Sequence, residues 1–114
     1  MFLELYRDCG DLFLVAKRSG RIVGYIVTGV GSRKAEIISI AVDPEYRNVG
    51  VGKALILHAI DKLRELGVGR LELTVRKTST AAIRLYRRFG FCPLKTIAHY
   101  YQDDGDGLRM WMPL

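Results

Sequence analysis

The architecture of this chain can be worked out from one segment, Arg47-Asn48-Val49-Gly50-Val51-Gly52-Lys53. It lies between an apolar run at residues 35–42 and the longest helical pattern of the chain, at about residues 50–66. The first turn of a helix presents about four unpaired backbone N–H groups, and phosphate binds there readily. Two glycines and two flanking cations therefore predict a strand–turn–helix unit that holds a phosphate, although the glycines could instead serve only close helix packing.

Composition narrows the class of protein further. The chain has 114 residues, of which 49% are hydrophobic and 26% charged, and we predict one globular domain, 1–114. The formal charge of +6 suits a polyanionic ligand without identifying it. We expect a cytoplasmic protein, because no apolar run is long enough to span a membrane, acidic residues near the start argue against a signal peptide, and two cysteines are too few for a disulfide framework.

Hydrophobic periodicity predicts a sheet with helices on its faces, in an α/β or α+β arrangement. Residues 2–8 resemble the last turns of a helix. Helices are expected at about residues 50–66 and 79–89. Strands are expected at residues 12–16, 22–30, 35–42, 70–75, 91–99 and 108–112.

Three separated motifs resemble those of the GNAT superfamily of N-acetyltransferases. The segment R-x-x-G-x-G at residues 47–52 is similar to its acyl-CoA signature, and residues 75–91 resemble V-R-x-x-N-x-x-A-I-x-L-Y-x-x-x-G-F. Residues 100–106 are similar to the Y-Y-x-D-G-E-D loop of the branch that contains the ribosomal-protein alanine acetyltransferases and the archaeal and eukaryotic N-terminal acetyltransferases. The match, from about Phe2 to Met112, implies the α/β GNAT fold, a mixed central sheet with helices on both faces.

The resemblance also implies where acetyl-CoA binds. Its pantetheine would pair with one strand inside an opening between two parallel strands, 35–42 and 70–75, and its pyrophosphate would sit on backbone amides of the glycine turn. Thr80 is taken as the replacement for the asparagine of the second motif, or as a residue that only supports the helix start. The implied cofactor-binding residues are Ile40, Ala41, Val42, Arg47, Asn48, Val49, Gly50, Val51, Gly52, Lys53 and Thr80.

In this family the amine attacks the thioester directly, so neither Cys9 nor Cys92 is needed as a nucleophile. The resemblance makes Tyr86 the acid that protonates the leaving thiolate, with a core aromatic as the alternative. Family members often carry Glu or His at the position of Thr74, which cannot act as a base. We therefore expect Glu36 to relay a proton through water, unless it is an ordinary solvated glutamate at a strand end.

The acceptor is expected to be the N-terminal α-amine of a protein or peptide. An α-amine, with a pKa of about 7.7–8.0, is roughly one-tenth neutral at pH 7, whereas a lysine amine is neutral about once in several thousand molecules. Tyr100 and Tyr101 would hold the peptide backbone, with a cross-strand aromatic pair as the alternative. Other hypotheses are a small amine or lysine as acceptor, or a weakly catalytic CoA-binding subunit of a complex. No metal site and no direct nucleic-acid contact are expected.

The beginning of the family pattern is missing from this chain. Members normally carry a strand, a helix and a loop before the segment that matches residues 2–16, so we expect an N-terminally truncated fold with exposed sheet edge and apolar surface. Three explanations stay open: a sequence that begins late, a second copy that covers this side as a homodimer, or a degenerate relative.

Overall fold

The computed structural model describes all 114 residues and contains one sheet of seven strands with two α-helices. The elements are β1 (Phe2–Asp8), β2 (Asp11–Arg18), β3 (Arg21–Val30), β4 (Lys34–Val42), a 3-10 turn (Pro44–Tyr46), α1 (Val51–Glu65), β5 (Arg70–Arg76), α2 (Thr80–Phe89), β6 (Cys92–Ile97) and β7 (Gly107–Pro113). Across the sheet the order is β1-β2-β3-β4-β5-β7-β6. Only β4 and β5 are parallel neighbours, so the predicted mixed sheet is confirmed. Neither helix has the length and apolar character needed to cross a membrane.

Residues 2–8 form an edge strand, so the expectation of a helix there is wrong. In β1, Leu3 and Leu5 alternate with more polar positions and pair antiparallel with residues of β2. The connecting residues Cys9 and Gly10 have φ values of 50° and 89°, which is the left-handed conformation of a two-residue hairpin turn. The alternation of apolar residues at every second position and the Cys9–Gly10 turn are the sequence signals for a hairpin at the start of the chain.

The two helices of this chain pack on the same face of the sheet, where Leu57 of α1 and Leu85 of α2 line one space. The connections β4–α1–β5 and β5–α2–β6 advance across the sheet in one direction, and right-handed crossovers therefore place α1 and α2 on one side. The core is a single cluster on this side, to which α1 contributes Leu55, Ile56, Ala59, Ile60 and Leu63. The opposite face is open and carries Tyr25 and Ile38, which are 39% and 57% exposed.

Gly24 allows the start of α1 to approach the sheet closely. A Cβ at this position of β3 would lie 3.0 Å from Cγ1 of Val51 and 3.1 Å from the carbonyl oxygen of Ala41. A larger residue would push the first turn of α1 away from the end of β4. The absence of a side chain therefore places the glycine turn directly beside the last residues of β4.

The parallel strands β4 and β5 separate after only three residue pairs. Their pairing ends at Glu36 and Glu72, although β4 continues to Val42 and β5 to Arg76. Beyond this point one edge of β4 has no strand partner, and a gap opens between the two strands. The opening that the resemblance implied is therefore present in the fold.

Leu63→Ala should lower the free energy of unfolding by about 2–5 kcal/mol, because Leu63 is completely buried beneath the sheet and its loss leaves a cavity. Leu57→Ala is the matched control on the same helix, since Leu57 is 42% exposed, and it should change stability by less than about 1 kcal/mol. Urea unfolding of both variants measures the difference. Equal losses would show that α1 does not pack as described.

Candidate active site

The turn before α1 leaves a run of backbone amides without acceptors. Gly50, the residue before the helix, has a φ of 89°, which favours glycine. The N–H of Ala54 is the first at this helix start to find an acceptor, the carbonyl of Gly50 at 3.0 Å, and no backbone hydrogen bond uses the amides of residues 48–53. Free amides at a helix N-terminus suit a phosphate group, so the turn fits the diphosphate of acetyl-CoA.

A cleft of about 370 Å³ joins this turn to β4 and α2. Seven of the predicted site residues meet there: Ile40, Ala41, Val42, Arg47, Gly52, Lys53 and Tyr86. An adjoining space of about 310 Å³ shares part of this lining and adds the predicted Asn48 and Gly50. Val49 and Val51 line neither space with their side chains, because Val49 is 64% exposed and Val51 is buried in the core. They contribute to the turn only through their amides.

Tyr86 is packed in the core and also lines the cleft. Its ring is buried and packs edge-on against Phe91, with ring centroids 5.7 Å apart. Its hydroxyl has no partner within the chain, yet it is not a fully buried atom, so it opens into the cleft. Burial raises the pKa of Tyr86, which keeps the hydroxyl protonated at neutral pH. The site thus contains a proton donor on a rigid aromatic side chain.

Thr80 and its neighbour Ser79 differ in burial and in their place in the second motif. Thr80 is exposed in the first turn of α2, whereas Ser79 is half-buried at the position before the helix, and its hydroxyl makes no capping hydrogen bond. Counted from Val75 and Arg76, the second motif places its asparagine at residue 79. Ser79 is therefore the polar side chain that stands at the asparagine position.

Glu36 lies outside the cleft, on the open face of the sheet. It alternates with the buried Ile37 along β4, and its side chain is 44% exposed at the point where β4 and β5 separate. The proposed acid and the proposed base are thus on opposite sides of the sheet. The gap between β4 and β5 is the place where a substrate could contact both Tyr86 and Glu36.

Arg109 is a site residue that the sequence reasoning missed. From β7 its Nη1 donates to Oε1 of Glu36 at 2.8 Å and to Oγ1 of Thr74 at 3.0 Å, and its Nε donates to Oε1 of Glu72 at 2.9 Å. The only signal in the sequence is a single cation within the otherwise apolar strand pattern of residues 108–112. Its partners on other strands become apparent only from the sheet register.

Glu72 is a buried carboxylate that is held in its ionised form. Burial alone would raise its pKa, but the hydrogen bond from Arg109 and the charges of Arg109, Lys34 and Arg70 outweigh burial and lower the pKa. Nε of Arg70 lies 3.0 Å from Oε2 of Glu72, in a geometry that gives an ion pair but no hydrogen bond. This cluster ties β5 to β7 beneath the open face.

The predicted peptide-contacting pair, Tyr100 and Tyr101, lies in the loop between β6 and β7 and is not a cross-strand pair. The two rings meet edge to face, with centroids 5.0 Å apart, and Tyr100 is 48% exposed. The guanidinium of Arg76 lies 4.1 Å from the centre of the Tyr101 ring and bonds Oδ1 of Asp103 at 3.0 Å. Arg76, at the end of β5, therefore anchors the tyrosine loop beside the gap.

Glu72→Gln should lower the free energy of unfolding by about 3 kcal/mol at pH 7, because it leaves Arg109 poorly compensated in a buried site. The folded-state pKa of Glu72 is lowered, so its contribution is complete above the unfolded pKa of about 4.3 and is lost as the pH falls through the folded value. Denaturant unfolding between pH 3 and pH 7 tests this.

Glu65→Gln, in an exposed pair with Lys62, is the control, and it should change the free energy of unfolding little. A pH-independent difference would contradict the prediction.

Comparisons with known proteins agree with this geometry. A family model described as "Acetyltransferase (GNAT) family" matches residues 1–91. An N-alpha-acetyltransferase of Sulfolobus acidocaldarius is 32% identical to this chain over an alignment that is 126 residues long. The alignment covers 99% of this chain and 75% of the relative. The crystal structure of the ribosomal-protein-S18-alanine N-acetyltransferase from Escherichia coli matches with a TM-score of 0.87 and 34% identity, over 94% of this chain and 71% of that one.

A third similar protein was solved with the acyl donor. The putative streptothricin acetyltransferase from Bacillus anthracis, in complex with acetyl coenzyme A, matches with a TM-score of 0.82 and 25% identity, over 94% of this chain and 64% of that one. The family match extends over most of the chain, and the archaeal relative is similar over nearly all of it. The chain therefore belongs to the acetyltransferase (GNAT) family.

Proposed function

We propose that this N-acetyltransferase transfers the acetyl group of acetyl-CoA, its co-substrate, directly to the N-terminal α-amine of a protein or peptide. The observation that carries the proposal is the cleft itself. It connects the free amides of residues 48–53, the unpaired edge of β4 and the hydroxyl of Tyr86. These are the three groups that an acyl-CoA needs for its diphosphate, its pantetheine and its sulfur.

The binding groups follow the length of the cleft. The amides of residues 48–53 would hold the diphosphate, with Arg47 and Lys53 supplying charge. The backbone of Ile40, Ala41 and Val42 would pair with the amide groups of pantetheine along the edge of β4 that β5 leaves free. Ser79 or Thr80 would add a hydroxyl near the thioester.

The reaction needs one proton removed and one supplied. Glu36 would accept, through water, the proton that the amine loses as its nitrogen bonds the acetyl carbon. Tyr86 would donate its hydroxyl proton to the sulfur as the carbon–sulfur bond breaks. Because Glu36 is on the open face and Tyr86 on the helical face, the amine would enter the gap between β4 and β5 from the open side.

Several features support a peptide N-terminus as the acceptor. Two of the similar proteins are named as N-alpha and S18-alanine acetyltransferases. Tyr100 and Tyr101, anchored by Arg76, stand where they could hold a peptide backbone. An α-amine also needs only weak help in losing its proton, which agrees with Thr74 replacing a carboxylate near the gap.

The open face supports a second acceptor class and an assembly. A small amine could reach the gap from this side, because no helix covers Tyr25 or Ile38. The same uncovered face would suit a second copy of the chain, so a homodimer belongs to the proposal. The two unpaired, exposed cysteines, Cys9 and Cys92, support a reducing, cytoplasmic setting.

Peptides should be acetylated at their first residue. Each test peptide is paired with a copy that has a blocked N-terminus and an internal lysine, and both are incubated with acetyl-CoA while release of the CoA thiol and peptide mass are measured. We expect thiol release and one added acetyl group only with free N-termini. Acetylation confined to the lysine peptides or to small amines would overturn the proposed acceptor, and tight acetyl-CoA binding without any turnover would favour a CoA-binding subunit.

Tyr86→Phe should lower kcat by about 10²-fold or more, because it removes the proton donor and keeps the buried ring. Its KM for acetyl-CoA should stay within about threefold, since the hydroxyl is not the main binding group. Steady-state kinetics on the best peptide measure both constants. Tyr6→Phe, on the distant edge strand β1, is the matched control. An unchanged kcat in Tyr86→Phe would remove Tyr86 from the mechanism.

A further inference from the structure

We propose that Arg109 is a positioning residue, which fixes the carboxylate of Glu36 at the mouth of the gap between β4 and β5. The inference rests on the proposed function, in which Glu36 accepts the proton of the acceptor amine. Arg109 itself would not touch either substrate. It would act by holding Glu36 in one place.

The first support is the geometry of the guanidinium. Arg109 lies on β7, two strands away from Glu36, and reaches across β5 to β4. Nη1 contacts Glu36 and Thr74 together, while Nε is bound to Glu72. Three hydrogen bonds donated by one rigid, planar group fix its orientation. A lysine, with a single ammonium on a flexible chain, could not bridge these partners.

The second support is the difference in burial within this cluster. The side chains of Glu72 and Arg109 are only 6% and 12% exposed, whereas that of Glu36 is 44% exposed. Glu72 therefore forms the fixed base of the cluster, Arg109 is the connecting group, and Glu36 is its accessible end. The hydrogen bond that Arg109 donates to Glu36 raises the pKa of Arg109 above its already high value, so the guanidinium is charged at every working pH.

The third support is the way in which Glu36 is held. Arg109 binds Oε1 of Glu36, and Oε2 has no partner in the chain. One carboxylate oxygen is thus used for positioning, and the other is free for a water molecule or an amine. Since β4 and β5 stop pairing at Glu36 and Glu72, the free oxygen lies at the start of the gap. A catalytic group displaced by about 1 Å can lose about 10²-fold in rate.

A double-mutant cycle tests the inference. Glu36→Gln, Arg109→Lys and the double variant are compared with the parent chain for kcat, for KM of acetyl-CoA and for thermal unfolding. We expect kcat to fall about 10²-fold in Glu36→Gln and about tenfold in Arg109→Lys. In the double variant Arg109→Lys should cause no further loss, because its effect is exerted through Glu36. KM for acetyl-CoA should be unchanged throughout.

Arg70→Lys is the matched control. Arg70 pairs with the same buried Glu72 but has no contact with Glu36, so its replacement perturbs the cluster without releasing Glu36. It should leave kcat unchanged even where it lowers the unfolding temperature. A loss of kcat in Arg70→Lys equal to that in Arg109→Lys would assign Arg109 a structural role only and overturn the proposal.

The outcomes separate this inference from the proposed function. Full kcat in Glu36→Gln, with peptides still acetylated, would refute the base assignment and with it the role of Arg109, while the acetyltransferase activity stands. If the double variant shows the kcat losses of Glu36→Gln and Arg109→Lys combined, the two residues act independently, and the Arg109 inference alone is overturned. No acetylation by the parent chain would overturn the proposed function first.

An NMR measurement tests the same contact without any substitution at Arg109, so it does not depend on whether an Arg109 variant folds. In the parent chain, nitrogen-15 NMR should show the two Nη groups of Arg109 as separate signals, because the bond to Glu36 slows rotation of the guanidinium. In Glu36→Ala, which removes the acceptor oxygen altogether, the two signals should move towards averaging, while the Nε signal, bound to Glu72, remains in place. Freely averaged Nη signals in the parent chain would contradict the proposal.

Discussion

The separation of β4 from β5 after three residue pairs is the constraint on which the rest of the structure depends. Up to Glu36 and Glu72 the two strands form an ordinary parallel pair. Beyond these residues each strand continues with one unpaired edge, and unpaired backbone groups need a partner from elsewhere. The same separation gives the free edge of β4 to the cleft on the helical face and leaves no hydrogen bonds between β4 and β5 beyond Glu36 and Glu72. The cleft with Tyr86 and the carboxylate of Glu36 thus lie on two sides of one gap.

The other parts of the site are fixed relative to this gap by close packing. Gly24 brings the first turn of α1 against the end of β4, which sets the free amides beside the unpaired edge. The ring of Tyr86 is held by Phe91 in the core, so its hydroxyl can reach the cleft without losing its position. On the open face, the buried pair of Glu72 and Arg109 does the same for Glu36. Tyr86 and Glu36 are therefore each held by a buried neighbour.

Much of this could be predicted from the sequence, because the information was local. The glycine turn, the long helix and the two hairpins depend on neighbouring residues, and so does the recognition of the family motifs. Residues 2–8 were missed because a short segment of alternating apolar residues resembles a helix end when the Cys9–Gly10 turn is overlooked. The placement of both helices on one face follows from strand order, which no local pattern contains.

Arg109 and the two-sided arrangement could not be predicted for a related physical reason. The contact between Arg109 and Glu36 joins residues 73 positions apart, through a strand that lies between them in the sheet. Sequence spacing carries no signal for such a contact. The motif position of Ser79, in contrast, is a local feature of the sequence, four residues after Val75.

The central claim is that the turn at residues 48–53 and Tyr86 hold the two ends of one acyl carrier. A crystal structure of the protein soaked with acetyl-CoA tests it most directly. We expect the diphosphate on the amides of this turn and the thioester sulfur within hydrogen-bond distance of the Tyr86 hydroxyl. A diphosphate bound elsewhere, or a sulfur remote from Tyr86, would contradict it.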